Sequence, residues 1–235
     1  GEKMLYDNKI CFRVWGNEAL FTDPLTKVGG EKFSYPVPTY QALKGITESI
    51  YWKPTLIWVI DRCRVMKIIQ TQSKGIRPIR YYSNQNDLSL YTYLHDVEYQ
   101  VEAHFIWNEK RADLAQDRNE HKHYDIAKRM VARGGRRDIF LGTRECQGYV
   151  ETCTFGEGTS PYDEAEEVAF GVMFHSFIYP SESQDENLKS CFWMPIMKKG
   201  VIEFISPQSC TMIRELGKMS EKQFIPGVNM TMEDK

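Results

Sequence analysis

The longest purely apolar run in the chain, Leu56 to Ile60, spans five residues. A membrane-crossing helix needs roughly 20, so no span is expected. The start, Gly1-Glu2-Lys3-Met4, lacks the apolar stretch of a signal peptide, and secretion is not expected either. Cysteine pairs are lacking: Cys11, Cys63, Cys146, Cys153, Cys191 and Cys210 are scattered with no CxxC pair and no regular spacing. This pattern argues against a zinc ribbon and a disulfide framework, and it fits reduced thiols in a cytoplasm. His121 and His123 make a poor metal pair, because residues two apart diverge on a helix and no third ligand lies nearby in sequence. Neither a metal nor a cofactor is therefore expected. A charge excess of one sign is also lacking, since the formal net charge is −2. No fixed repeat period is present, nor is the aromatic signature that marks the base-stacking strands of an RRM.

What is present is enough to fold. Apolar residues make up 42% of the 235 and aromatics 13%, which suffices to fill a core. Charge is unevenly spread: Lys110 to Arg144 holds ten Lys or Arg against five acids, whereas Glu145 to Ser190 holds ten acids and a single Lys189. A solvated helix followed by a solvated loop produces such blocks, but affinity for phosphates depends on local charge rather than the total.

Lys9 to Trp15 alternates apolar and polar residues and predicts a strand, followed by a turn-rich loop from Asp23 to Pro38. Thr39 can cap a helix that runs to Trp52 and stops before Pro54. Thr55 to Ile69 reads as a strand and Leu90 to Asn108 as a second long one or as two, in a hairpin-like pair. Asn119 can cap a second helix, which Gly134-Gly135 closes, and Arg136 to Phe155 returns to strand composition. The order strand, helix, strand, strand, helix, strand is that of the ferredoxin-like (RRM-like) βαββαβ fold, placed here at residues 1–155. Strand candidates at Val168–Tyr179, Lys189–Met197 and Gly200–Ile205 predict a small antiparallel β-sheet domain over 156–235, with a frayed tail beyond Pro226. The class is thus α+β.

Three places carry candidate chemistry: Tyr51 at the end of the first helix, His121-Lys122-His123 in the first turn of the second, and Gly134-Gly135-Arg136-Arg137. Plainer readings exist for each, namely a core tyrosine, solvated first-turn residues and a glycine helix stop. RNA, however, can be cut without metal by its own 2′-hydroxyl. That reaction needs a base, a cation for the phosphorane charge and a proton donor for the leaving oxygen, and His, Lys and Tyr supply those types. A helix N-terminus also attracts phosphate.

The stretches Ala19–Lys32, Pro38–Ile46 and Glu48–Pro54 closely resemble the CRISPR-associated RAMP-superfamily endonuclease of subtype I-C, the Dvulg branch. Asp117-Arg-Asn-Glu120, Lys122-His-Tyr124, Gly134–Gly142 and Arg144–Val150 add to the resemblance, which runs from about Ile10 to Val150 and more loosely onward. It implies a ferredoxin-like domain with a small β-sheet domain. It also implies metal-free cleavage of precursor CRISPR RNA at the 3′ base of the repeat hairpin, leaving a 2′,3′-cyclic phosphate and a 5′-hydroxyl. The family's catalytic tyrosine, lysine and histidine fall on Tyr51, Lys122 and His123. The implied partners are the repeat hairpin, the 5′ handle of the mature guide, and the backbone and large subunits of an interference complex. Lys128, Arg129, Arg133, Arg136 and Arg137 are the candidate RNA-backbone contacts. A guide-binding subunit that does not cut, or a binder of duplex DNA, is the rival reading.

Overall fold

The computed structural model describes residues 7–25, 31–76 and 89–219; the expected fraying beyond Pro226 lies outside them. Strand β1 (Lys9–Ala19) buries Ile10, Phe12 and Val14 and leaves Cys11, Arg13 and Trp15 on its other face, as its alternation predicts. β2 (Lys32–Phe33) precedes helix α1 (Tyr40–Ile50), whose Thr39 side chain accepts from the Ala42 N–H at 3.1 Å. β3 (Leu56–Val65), β4 (Thr71–Ile76) and β5 (Ser89–Trp107) follow, and then α2 (Glu120–Arg133), capped by Asn119 and closed by Gly134 at φ 92°. The left-handed conformation at Gly134 suits a residue without Cβ.

Of the expected strand over Arg136 to Phe155, two pieces form, β6 (Ile139–Phe140) and β7 (Gln147–Thr152). The chain turns between them because Gly142, at φ 96°, is pressed against β1's exit: a Cβ there would lie 1.9 Å from the Leu20 carbonyl oxygen. β8 (Val168–Ala169), β9 (Met173–Ile178), β10 (Asn187–Trp193), β11 (Ile196–Lys198), β12 (Val201–Glu203) and β13 (Met212–Lys218) complete the described strands. The expected strand to Ile69 ends at Val65, and β2, β4 and β13 had no counterpart in the sequence reading.

The result is a mixed α/β protein with antiparallel sheets; of the described ladders only β2 on β5 is parallel. The main sheet runs β6-β7-β1-β5-β3-β12-β11-β8, with β2 and β4 also on β5, and a second sheet runs β13-β10-β9. Strands beyond residue 156 therefore divide between both sheets, β12 pairing with the free edge of β3. The long β5 is the spine, because its length allows β1, β3 and β4 to pair along it. Phe12 and Val14, Leu43 and Ile50 of α1, and Ile126 and Val131 of α2 join one hydrophobic cluster, so both helices cover the same face of the sheet. Truncating a fully buried side chain such as Phe12 to Ala should cost about 3–5 kcal/mol. This layering brings the C-terminal end of α1 beside the N-terminal end of α2.

Candidate active site at the start of the second helix

Tyr51 is the residue that ends α1. Its N–H bonds to the Thr47 carbonyl at 3.0 Å, and its own carbonyl accepts from Trp58 Nε1 at 2.7 Å. The Gly134-Gly135 turn secures the same helix end, since Arg136 and Arg137 donate their N–H groups to Ile50 and Ser49 carbonyls at 3.1 and 3.0 Å. These bonds satisfy carbonyls that a helix terminus leaves open. The glycines of the second helix stop thereby hold the first helix in place.

On α2, Asn119 Oδ1 accepts from the Lys122 N–H at 3.0 Å and its carbonyl from the His123 N–H at 3.1 Å. The fold brings His123 Nδ1 within 2.7 Å of Tyr51 Oη. His123 Nε2 lies 2.7 Å from the Asp117 carbonyl oxygen and 3.3 Å from its Oδ2. A carbonyl only accepts, so Nε2 carries a proton; in the neutral ring Nδ1 is then the acceptor and the Tyr51 hydroxyl donates to it. Lys122 Nζ reaches Asp117 Oδ1 at 3.0 Å, and Thr55 Oγ1 donates to Asp117 Oδ2 at 2.6 Å. Asp117 thus joins Lys122 to His123, and His123 in turn links to Tyr51. Burial acts against its charge, but the hydrogen bonds from His123, Thr55 and Lys122 outweigh it and hold the carboxyl well below the usual carboxylate range.

The trio does not share one exposure. Sequence reasoning placed His123 beside Lys122 at the first-turn surface, yet its side chain is 0% exposed, as is Tyr51. The reason is helical phase: position 123 points inward with Ile126 and Ala127, where Trp107 and Phe105 stand edge-on to the imidazole at 5.7 and 6.3 Å between centroids. Lys122, at 38% side-chain exposure, is the member that meets solvent. Asp117 was missed as a contributor, although it opens the Asp117-Arg-Asn-Glu120 motif.

Lys128, Arg129, Arg133, Arg136 and Arg137 are all exposed. Lys122, Arg129 and Arg133 recur at spacings of seven and four along α2 and so line one stripe leading from the cluster toward the Gly134-Gly135 turn. Lys128 lies off that stripe, its Nζ 4.5 Å from the Tyr124 ring centre and 3.9 Å from Asp125. Among the described residues no three His, Cys, Asp or Glu are grouped to hold a metal ion, and no helix is long and apolar enough to cross a membrane.

The chain is 33% identical over 149 residues to the CRISPR pre-crRNA endoribonuclease Cas5d of Mannheimia succiniciproducens, covering 54% of this chain and 64% of that protein. It is 29% identical over 151 residues to the protein of the same name from Thermus thermophilus, covering 60% of this chain and 62% of the relative. The chain thus spans somewhat less than two thirds of each curated relative. A solved structure described as a CRISPR-associated protein superposes with a TM-score of 0.75 at 40% identity, over 88% of this chain and 96% of that one. Residues 9–205 match the Cas5d model of the CRISPR-associated protein (Cas_Cas5) family, and the chain belongs to that family.

Proposed function

We propose that the protein is a metal-independent endoribonuclease that cleaves precursor CRISPR RNA at the 3′ base of the repeat hairpin and keeps the 5′ handle within an interference complex of backbone and large subunits. The observation that carries this reading is the Tyr51–His123–Asp117–Lys122 cluster, in which a phenol, an imidazole and an ammonium group are wired together at a helix N-terminus. The names of the two curated relatives support it. The strand order β7-β1-β5-β3, with both helices on one face, supports the ferredoxin-like βαββαβ reading of residues up to 155. The remainder would be the small β domain, of which β12 joins the β3 edge.

In this reaction the 2′-oxygen of the substrate attacks the adjacent phosphorus in line and the bond to the 5′-oxygen breaks. The products are a 2′,3′-cyclic phosphate and a 5′-hydroxyl. Lys122 is the group that meets the scissile phosphate and balances the charge gained in the phosphorane. Tyr51 and His123 form the proton route, and they reach substrate atoms only when the Asp117 turn swings away, since both ring nitrogens are engaged and both side chains are buried.

The full burial of His123 and Tyr51 favours one second reading, a guide-RNA or duplex-DNA binder in which the same bonds only hold the two helices together. One experiment separates the two. A repeat hairpin and a copy with a single deoxyribose 5′ of the scissile phosphate are incubated with the protein in EDTA. The expected result is cutting of the natural RNA and, at near-equal affinity, none of the substituted one. Cleavage of the deoxy substrate would remove ribose attack, and a bound but uncut natural hairpin would leave the binder.

A further inference from the structure

We propose that Trp15 and Tyr149 form a stacking step for an unpaired nucleobase in the RNA strand that flanks the hairpin; this rests on the ribonuclease reading above. The step lies on the sheet face opposite the helices. Over β3 and β5 that face is taken up by the chain itself. Arg64 donates to the Glu157 and Gly158 carbonyls at 2.8 and 3.0 Å, Gln100 binds the same Glu157 carbonyl at 2.8 Å, and the Arg62 guanidinium sits 3.9 Å from the Phe155 ring. The segment after β7 is thereby strapped across the middle of the sheet.

Over β1 and β7 the face carries Trp15 and an exposed Tyr149. Trp15 and Tyr149 are direct cross-strand partners, so their rings stand on the same side, 5.8 Å apart between centroids and inclined by 35°. Tyr149 is 52% exposed, a large aromatic area to leave in water. Arg13 braces the step from β1: its guanidinium lies 4.0 Å from the Trp15 ring while Glu98 and Glu151 each hold one of its nitrogens at 2.6 Å. With two carboxylates on it, Arg13 orients the indole and does not serve a phosphate.

The occupant is argued from what adjoins the step. Tyr149 also borders an open groove lined by Arg136, Arg137 and Asp138, where the two guanidinium groups outnumber the single carboxylate. Cations along a groove that ends at an aromatic step are the arrangement that follows a single strand, with phosphates on the basic side and a base on the ring. On the same strand face Tyr149 is flanked by Gln147 and Glu151, which does not make the continuous apolar patch of a protein contact.

The test compares binding of stem-loop RNAs by fluorescence anisotropy: one blunt, the others with an unpaired flank of about eight nucleotides on the 5′ or the 3′ side. Tyr149→Ala should weaken one flanked RNA about ten-fold and leave the blunt one unchanged, with Tyr149→Phe close to wild type, in keeping with the loss of one base–aromatic stack. Tyr149 is exposed, so the substitutions leave the core alone. Equal binding of every RNA by wild type and Tyr149→Ala would overturn the step and leave Tyr149 to a protein contact. Equal weakening of blunt and flanked RNAs would also overturn it. Wild-type protein that binds none of the RNAs would instead sink the ribonuclease reading itself.

Discussion

Replacing Lys122 by Ala isolates the one member of the Tyr51, Lys122 and His123 trio that a phosphate can reach without any rearrangement. Its Nζ is 3.0 Å from Asp117 and its side chain is 38% exposed, so its environment is neither bulk water nor dry interior. When the phosphorane forms, the phosphate gains about one negative charge; at about 4 Å that is worth about 1 kcal/mol in water and about 4 kcal/mol at an effective dielectric constant of about 20. Asp117 shares the ammonium charge, and a middle value of about 2–3 kcal/mol corresponds to a rate loss of roughly 30- to 150-fold. Ground-state binding should change much less, because Lys122 is one contact among several. Folding stability should change by under about 1 kcal/mol, as for other part-exposed ion pairs. The assay is single-turnover cleavage of a repeat hairpin at saturating protein, with a parallel binding titration and a melting curve. A variant that cuts at the wild-type rate when saturated would refute the assignment, and so would a loss wholly explained by weaker binding.

Removing both Arg129 and Arg133, exposed on the stripe with Lys122, should flatten the log–log salt dependence of hairpin affinity by about 1.4–1.8; an unchanged slope would make the stripe ordinary solvated surface. His175 provides a stability prediction away from the site. It is 0% exposed, stacked on Tyr40 at 4.5 Å between ring centroids, and burial pushes it down to about 4, although a hydrogen bond to the Ile205 carbonyl pulls the other way. The unfolded chain therefore takes up the proton first, from about pH 6.5, so stability should fall as pH drops from there toward about 4, by roughly 3 kcal/mol in all. Urea unfolding at several pH values should show this slope, and His175→Gln should reduce it; an identical slope in the variant would exclude His175 as its source.

Helix ends were legible because their signals are local. Thr39, Asn119 and Gly134 act within one turn of where they stand, and each caps the helix the sequence assigned to it. The alternation of Lys9 to Trp15 likewise determined which side of β1 faces the core. Family and candidate residues came from long matched stretches rather than from spacing. Strand ends were less legible, since they depend on partners: β3 stops at Val65 and β12 adds to its edge through contacts between distant segments.

What the sequence by itself determined was therefore the two capped helices, the inward face of β1 and the residue types available for chemistry. Only the tertiary structure decided which of those residues meet. Tyr51 and His123 are 72 positions apart and touch because both helices pack on one face of the sheet; Asp117 ties His123 to Lys122 through the turn before α2, and Trp15 finds Tyr149 through the β1–β7 register. Exposure was decided at the same level, because a one-residue step along a helix turns the side chain by about 100°, enough to leave Lys122 part-exposed and to bury His123 completely.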